Sequence, residues 1–311
     1  MDLRSFKLHR PDRHVRAVAV GARGEQGRDL EGPAFERVDA AAAPLWAELE
    51  RRAGAAVRAL AVDAWALTAT LSVADADSPG RKLVGPEFDA IVDLVAPVAR
   101  AIRAELLSRS PDVPGLTPSD PGFWDPMFAA DAGGWELGRS TPPLTAWFSE
   151  HVPKDIRALV VGCGRGHEAR MLAGLGARVT AIDFARAALA EARALTDPAL
   201  AIEFQERDLF TLRGAPPAFD LVVEHTCFCA IDPARRDEYV DAVADALLPG
   251  GRLVGLFYAH GRPGGPPFTT TREEVEARFA RRFEVVSLAP ARGSVLIRHG
   301  QELLGELRLR G

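Results

Sequence analysis

The sequence predicts an α/β protein: its second part is a seven-stranded, mostly parallel sheet with helices on both faces, and a smaller α-rich (α+β) part precedes it. Three observations carry that expectation. From Asp155 onward, short apolar runs alternate with amphipathic stretches, the pattern of a parallel sheet covered by helices. A glycine-rich turn, Gly162-Cys163-Gly164-Arg165-Gly166, follows the first of those runs. Between the two parts, the stretch from Ser110 to Gly122 holds enough proline and glycine to forbid a continuous helix or strand. The expected domains are therefore 1–115, of unread role, and 116–311.

Taken in order, Val15–Val20 reads as a short strand, and Phe35–Leu67 and Glu87–Ser108 read as Ala-rich helices with apolar residues at helical spacing. In the second part the strands are expected at Ala158–Val161, Val179–Ile182, Ile202–Gln205, Leu221–Val223, Arg252–Phe257, Phe283–Leu288 and Glu302–Arg310. Helices are expected at His167–Ala173, Ala185–Leu195 and Arg235–Leu248. A further one begins at Thr271, where Thr-x-x-Glu274 offers a capping box.

Composition narrows the function. The chain has 311 residues, 47% hydrophobic and 26% charged, long and apolar enough to bury a core. A formal net charge of −5 argues against nucleic acid or an anionic membrane as partner, so the expected partner is a small molecule. Cys163, Cys227 and Cys229 are too few and too close for a disulfide framework, and they offer no zinc-type spacing. The N-terminus carries scattered charges and no apolar core segment, and no long uncharged apolar run occurs, so the expected location is the cytoplasm.

The glycines at 162, 164 and 166 would let backbone amides approach a ligand at a helix N-terminus. A dinucleotide fold would want Gly-x-Gly-x-x-Gly, whereas His167 holds the sixth position; the spacing resembles an S-adenosylmethionine loop instead. The next strand ends in Asp183-Phe184, where a ribose diol is usually held. The third exits into Asp208-Leu209, which resembles the adenine pocket of methyltransferases. Strand-end acids can also simply cap the next helix.

Val222-Val-Glu-His-Thr-Cys-Phe-Cys-Ala-Ile-Asp-Pro233 resembles the fourth-strand motif of the thiopurine S-methyltransferase family, especially its plant-type halide and thiol methyltransferase branch. Trp124, Phe128 and Trp135 repeat the spacing of three aromatic residues that precede the fold in that branch. The segment from Gly134 to Pro143, the Gly265-Pro-Pro-Phe268 loop and the tail from Arg298 to Gly305 continue the likeness in the same order. Two positions depart from it: Phe128 stands where Trp is usual, and His225 where halide-active enzymes commonly carry Tyr.

The resemblance implies the class I methyltransferase, Rossmann-like fold, with S-adenosylmethionine as cofactor and no metal. The cofactor would be held by Trp124, Phe128, Trp135, Gly162, Cys163, Gly164, Gly166, Asp183, Phe184, Asp208, Leu209 and Glu224. It implies a methyl transfer to a small soft nucleophile: hydrosulfide, a small thiol, thiocyanate or a halide. Loss of a thiol's proton would be favoured either by His225 as base or by Arg236 as an electrostatic partner of the thiolate. Methylation at oxygen or nitrogen, hydride transfer from a dinucleotide, and a non-catalytic S-adenosylmethionine sensor remain the alternatives. Cys227 and Cys229 read as packing residues.

Overall fold

Three antiparallel strands open the chain, β1 (Asp2–His9), β2 (His14–Gly21) and β3 (Gly24–Leu30), followed by helix α1 (Gly32–Ala53). Strands β4 (Val57–Asp63), β5 (Thr68–Val73) and β6 (Arg81–Leu83) come next, then α2 (Pro86–Asp89) and α3 (Val92–Leu106). The six strands form one antiparallel sheet in the order β3-β2-β1-β4-β5-β6. This computed structural model describes residues 2–21, 24–73, 80–106, 112–130, 133–151 and 154–311. Parts of two sequence expectations, the end of the helix at 107–108 and the start of the breaker-rich stretch at 110–111, lie outside the described residues.

The sheet corrects the expectation of a helix-rich first part. The predicted helix Phe35–Leu67 stops at Ala53, because Gly54 turns left-handed (φ 65°) and its amide closes back onto the Glu50 carbonyl. The chain then enters β4 and β5, whose inward positions are partly alanines, Ala59 and Ala69. Alanine favours helix in isolation, so tertiary pairing overrides propensity here. In β1 a register shift between Leu3 and Ser5 breaks the alternation, yet Leu3, Phe6 and Leu8 are all buried.

The six strands and their helices are one pattern used twice. The shift at Leu3/Ser5 in the β1–β2 pair recurs at Val57/Ala59 in the β4–β5 pair. Arg13 and Leu67, each just before the second strand of its copy, share positive φ of 48° and 52°. Gly32-Pro33-Ala34-Phe35 opens α1 as Gly85-Pro86-Glu87-Phe88 opens the α2–α3 stretch, and the two glycines have φ of 55° and 52°. Val38, Ala42, Leu45 and Leu49 correspond to Ile91, Val95, Val98 and Ile102, all buried, and Pro44 corresponds to Pro97 inside the helix. The strand order places the two copies on either side of the central antiparallel pair β1–β4. The copies differ at Trp46 of α1, which corresponds to Ala99 of α3.

From Pro121 the second pattern begins. Helices α4 (Pro121–Ala129) and α5 (Pro142–Glu150) each start on a proline, tolerated in a first turn because no helical partner exists there for its missing N–H. Then follow β7 (Arg157–Val161), α6 (His167–Gly174), β8 (Arg178–Asp183), α7 (Arg186–Ala194), β9 (Ile202–Glu206), β10 (Phe219–His225) and α8 (Arg236–Ala246). The chain ends with β11 (Leu247–Tyr258), α9 (Arg272–Phe279), β12 (Phe283–Pro290) and β13 (Glu302–Leu309). Every strand and helix expected after Asp155 is present within a few residues.

The seven strands run β12-β13-β11-β10-β7-β8-β9, all neighbours parallel except around β13, which pairs antiparallel with β11 and β12. Alternate residues enter two cores. Leu159, Val161 and Val222 pack with Tyr239, Val243 and Phe279 on one face; Ala158, Val160, Leu221 and Val223 pack with Leu144, Ala169 and Leu189 on the other. The chain leaves β7 outward to β8 and β9, then returns to β10 beside β7. That reversal opens a crevice at the carboxyl ends of β7 and β10, where such sheets bind ligands.

The chain divides into two compact units that interleave in sequence. The first comprises Met1–Arg109 with Asp131–Gly138 and Val295–His299; the second comprises Ser110–Ala130, Arg139–Ser294 and Gly300–Gly311. Leu137, Val295, Leu296 and Ile297 are buried in the first unit's core. His299 Nε2 lies 2.9 Å from Asp93 at the start of α3, Arg103 donates to the Gly134 carbonyl, and Arg298 donates to the Trp135 carbonyl at 2.9 Å.

Candidate active site

β7 ends at Val161 and the glycine turn follows, with φ of 54°, 51° and 74° at Gly162, Gly164 and Gly166. Two of these positions are also closed to a side chain. A Cβ on Gly162 would lie 2.7 Å from Cys227 Sγ, and one on Gly166 would lie 2.9 Å from the Phe204 ring. The turn is tied to the neighbouring strand: the Cys163 amide donates to the Ile182 carbonyl at 3.0 Å, and the Gly164 amide to Asp183 Oδ2 at 2.8 Å. Asp183 is buried, and its Oδ1 accepts from the Ala185 amide at 2.9 Å. Burial raises its carboxyl above the ordinary range against the pull of the Ala185, Gly164 and Phe184 amides, and Asp125 adds to the rise.

Helix α4 lies on this turn. Trp124 and Phe128, one helical turn apart, are both buried, and a methyl on Gly164 would sit 3.6 Å from the Phe128 ring. The Trp124 indole donates to the Pro118 carbonyl at 2.9 Å. Two residues that sequence reading missed fasten the helix. Asp125 accepts from the Ala187 amide at 3.0 Å in the first turn of α7. Arg165, buried within the glycine turn, donates to Glu191 at 2.6 Å and to the Phe128 carbonyl at 3.1 Å. Trp135, expected with the other two aromatics, belongs to the first unit.

Asp208 stands at the exit of β9 and accepts from the Phe210 amide at 2.9 Å, capping the short 3-10 turn Leu209–Leu212. Glu224 is buried at the end of β10, and both its oxygens have partners: Oε1 accepts from the Cys227 and Phe228 amides at 2.9 and 2.8 Å, and Oε2 from the Tyr239 hydroxyl at 2.6 Å. Burial raises this carboxyl as well, opposed by those three bonds. Glu224 thus shapes the turn after β10 from within the core.

His225, the next residue, points its Nδ1 at Glu168 Oε1, 3.0 Å away, with both side chains about nine-tenths buried. Glu168 sits in the first turn of α6 and also accepts from the Thr141 amide at 3.0 Å. Burial alone would raise its carboxyl; His225 and the Thr141 amide instead hold it down at about 2. No motif singled out Glu168 in the sequence, though its place two residues after the last glycine was visible.

Arg236, the other residue expected at the reaction centre, is buried and engaged. Its Nη1 lies 2.9 Å from both oxygens of Glu274 and 3.1 Å from the Thr269 carbonyl, and its Nη2 is 3.2 Å from the Phe268 carbonyl. Its guanidinium stacks 4.6 Å from the centre of the Phe228 ring. Its Nε alone has no hydrogen-bond partner among the described residues. Thr271 caps α9 through the Glu274 amide as expected, but the Glu274 carboxylate is spent on Arg236, Arg278 and Thr270. The Phe268 amide donates to the Cys229 carbonyl at 2.6 Å, so the 265–268 loop is fixed to the turn after β10. None of the three cysteines forms a disulfide, and burial holds the Cys163 and Cys227 thiols far above the range in which they would ionise.

Residues 119–302 match the family model for thiopurine S-methyltransferase. Thiocyanate methyltransferase 1 of Arabidopsis thaliana is 31% identical over 191 residues, covering 59% of this chain and 83% of its own. Thiopurine S-methyltransferase of Aliivibrio fischeri is 31% identical over 174 residues, covering 51% and 82%. A solved structure from work on the conversion of a disulfide bond into a thioacetal group during echinomycin biosynthesis shares the fold, with a TM-score of 0.52, 22% identity and coverage of 61% and 93%. The family match takes in more than half of the chain, so the chain belongs to the thiopurine S-methyltransferase family and is an S-adenosylmethionine-dependent methyltransferase.

Proposed function

We propose that this enzyme methylates a small soft nucleophile, foremost a small thiol or hydrosulfide, with thiocyanate and halide ions as acceptors of the same class. The observation that carries the reading is the buried His225–Glu168 pair at the carboxyl end of β10, beside the glycine turn that Cys227 touches. The relatives named above act on sulfur acceptors by their names, thiocyanate and thiopurine.

The residues present fit the cofactor. Three positive-φ glycines keep the turn narrow, and the Asp183 carboxylate, with lone-pair capacity beyond its backbone amide partners, suits a ribose diol. Asp208 and the backbone of Leu209 suit the adenine ring, and Phe128 and Trp124 give the turn an apolar cover. When bound, S-adenosylmethionine supplies an electrophilic methyl on a positively charged sulfur. The chain supplies alignment and exclusion of water, the dominant needs of a displacement whose leaving group is already activated. For an acceptor that carries a proton, His225 takes it, and the electron pair stays on the acceptor sulfur. Arg236, through its Nε and its hold on the 265–269 segment, shapes the side on which an anion would lie.

No helix among the described residues is long and apolar enough to cross a membrane, and the cytoplasm is the location we assign to the reaction. The test is transfer of a labelled methyl group across a panel of ethanethiol, hydrosulfide, thiocyanate, iodide and a thiopurine, with an amine and a phenol beside them. Label on the sulfur acceptors is the expected result. Label only on the amine or phenol, or binding without turnover, contradicts the reading.

A further inference from the structure

We infer that Glu168 is a positioning residue: it fixes the ring hydrogen of His225 on Nδ1 and so reserves Nε2 as the nitrogen that accepts a proton from the acceptor thiol. The inference rests on the reading of His225 as a base.

The geometry leaves little choice of tautomer. Glu168 Oε1 lies 3.0 Å from His225 Nδ1, and an ionised carboxylate has no hydrogen to give, so the hydrogen between them belongs to the imidazole. Glu168 stays ionised in spite of its burial, held by His225, by the Thr141 amide at 3.0 Å and by the field of His167. Its place in the first turn of α6 adds the favourable end of the helix dipole. Glu224 also acts on His225, but its two oxygens are taken by the Cys227 and Phe228 amides and by Tyr239. Glu168 is therefore the carboxylate that orients the ring. A free imidazole prefers its hydrogen on Nε2, which would put a donor where a base is needed. A bond at Nδ1 reverses that preference, the logic by which the partner of one ring nitrogen decides the chemistry of the other. The proton path is then short and balanced: the S–H bond of the acceptor breaks, its proton passes to Nε2, and the electron pair remains on sulfur for the new S–C bond.

The test uses the full chain with 15N-labelled histidine. The His225 signals are identified by their loss in His225→Phe, and spectra are recorded at a pH high enough for a neutral ring. Native protein should show hydrogen on Nδ1; Glu168→Gln should shift the ring toward the Nε2–H form. The same variant should lower kcat/KM for ethanethiol by at least about tenfold while iodide changes by no more than about threefold. A native spectrum with hydrogen on Nε2 overturns the inference, and that measurement stands even if Glu168→Gln does not fold. Should His225→Phe discriminate between ethanethiol and iodide while Glu168→Gln leaves the tautomer and the ethanethiol rate unchanged, Glu168 is structural and only this inference fails. Equal losses for both acceptors in His225→Phe remove the base reading itself.

Discussion

The two units solve the same problem, a sheet that must be covered, in opposite ways. In the second unit, alternate residues of β7 and β10 enter separate cores on the two faces. In the first unit one face carries helices: Phe6, Leu8, Val15 and Ala17 are buried while Lys7 and Arg16 between them are exposed. A strand buried on both faces is a continuous apolar run; one buried on a single face shows only alternation, which alanines and bulges readily obscure. That difference explains both where the sequence could be read and where the proposed site sits. Parallel strands with crossovers make a crevice at their carboxyl ends, and an antiparallel repeat does not.

The strongest way to break the comparison is to separate the units. Residues from about 116 onward contain the whole parallel sheet, and the sequence alone suggests that they fold by themselves. Yet Leu137, Val295, Leu296 and Ile297, within that stretch, are buried in the first unit's core. Expressing Gly115–Gly311 alone should therefore give a product that is insoluble or lacks cooperative melting, since exposing these four side chains costs an amount comparable to an ordinary domain's whole stability. A soluble fragment with a sharp transition would show that these segments find other cover.

The repeat inside the first unit gives a finer test. Trp46 is buried, its indole donates to Asp39 at 2.9 Å and the Arg10 guanidinium lies 5.3 Å over its ring. Its counterpart Ala99 is on α3, which packs against the turn Leu296–Arg298. Trp46→Ala should cost about 3–5 kcal/mol, a large cavity in a rigid core. Ala99→Trp should cost about 1–3 kcal/mol by overpacking, read by denaturant titration of the full chain. Equal tolerance of both substitutions would mean that the copies are more alike in packing than their sequences suggest.

In the second unit the matching probe is acid. The Glu168 carboxyl lies at about 2 in the folded chain, below the ordinary range of glutamate. A carboxyl depressed by folding contributes stability that is present above its unfolded value and lost as pH falls toward the folded one, so the contribution fades between about pH 4.5 and 2. Comparing Glu168→Gln with the native chain by thermal melts should show a stability difference on the order of 3 kcal/mol at neutral pH, shrinking across that window. A pH-independent difference would mean that the Glu168 carboxyl contributes no titrating energy.

These features differ in how far the sequence disclosed them. The glycine turn, Asp183, Asp208 and His225 were legible because each sits at the end of a strand whose apolar run announced it. Glu168, Asp125 and Arg165 were not: their partners lie on other elements, and long-range bonds to Thr141, Ala187 and Phe128 leave no local spacing. Arg236 was legible as a residue but not as a contact, since Glu274 reads locally as half of a capping box. The internal repeat was present in the sequence at Gly32-Pro33-x-Phe35 and Gly85-Pro86-x-Phe88, where only a search for self-similarity would have found it.

The central claim is that the second unit methylates a sulfur nucleophile whose proton His225 removes. The most direct measurement is kcat/KM of His225→Phe against the native enzyme for ethanethiol and for iodide. A thiol carries a proton and iodide does not, so the account predicts a loss of ~10²–10⁴-fold for ethanethiol, the range of a lost general base, with iodide little affected. Equal losses for both acceptors would contradict it and make His225 a packing or cofactor-contact residue.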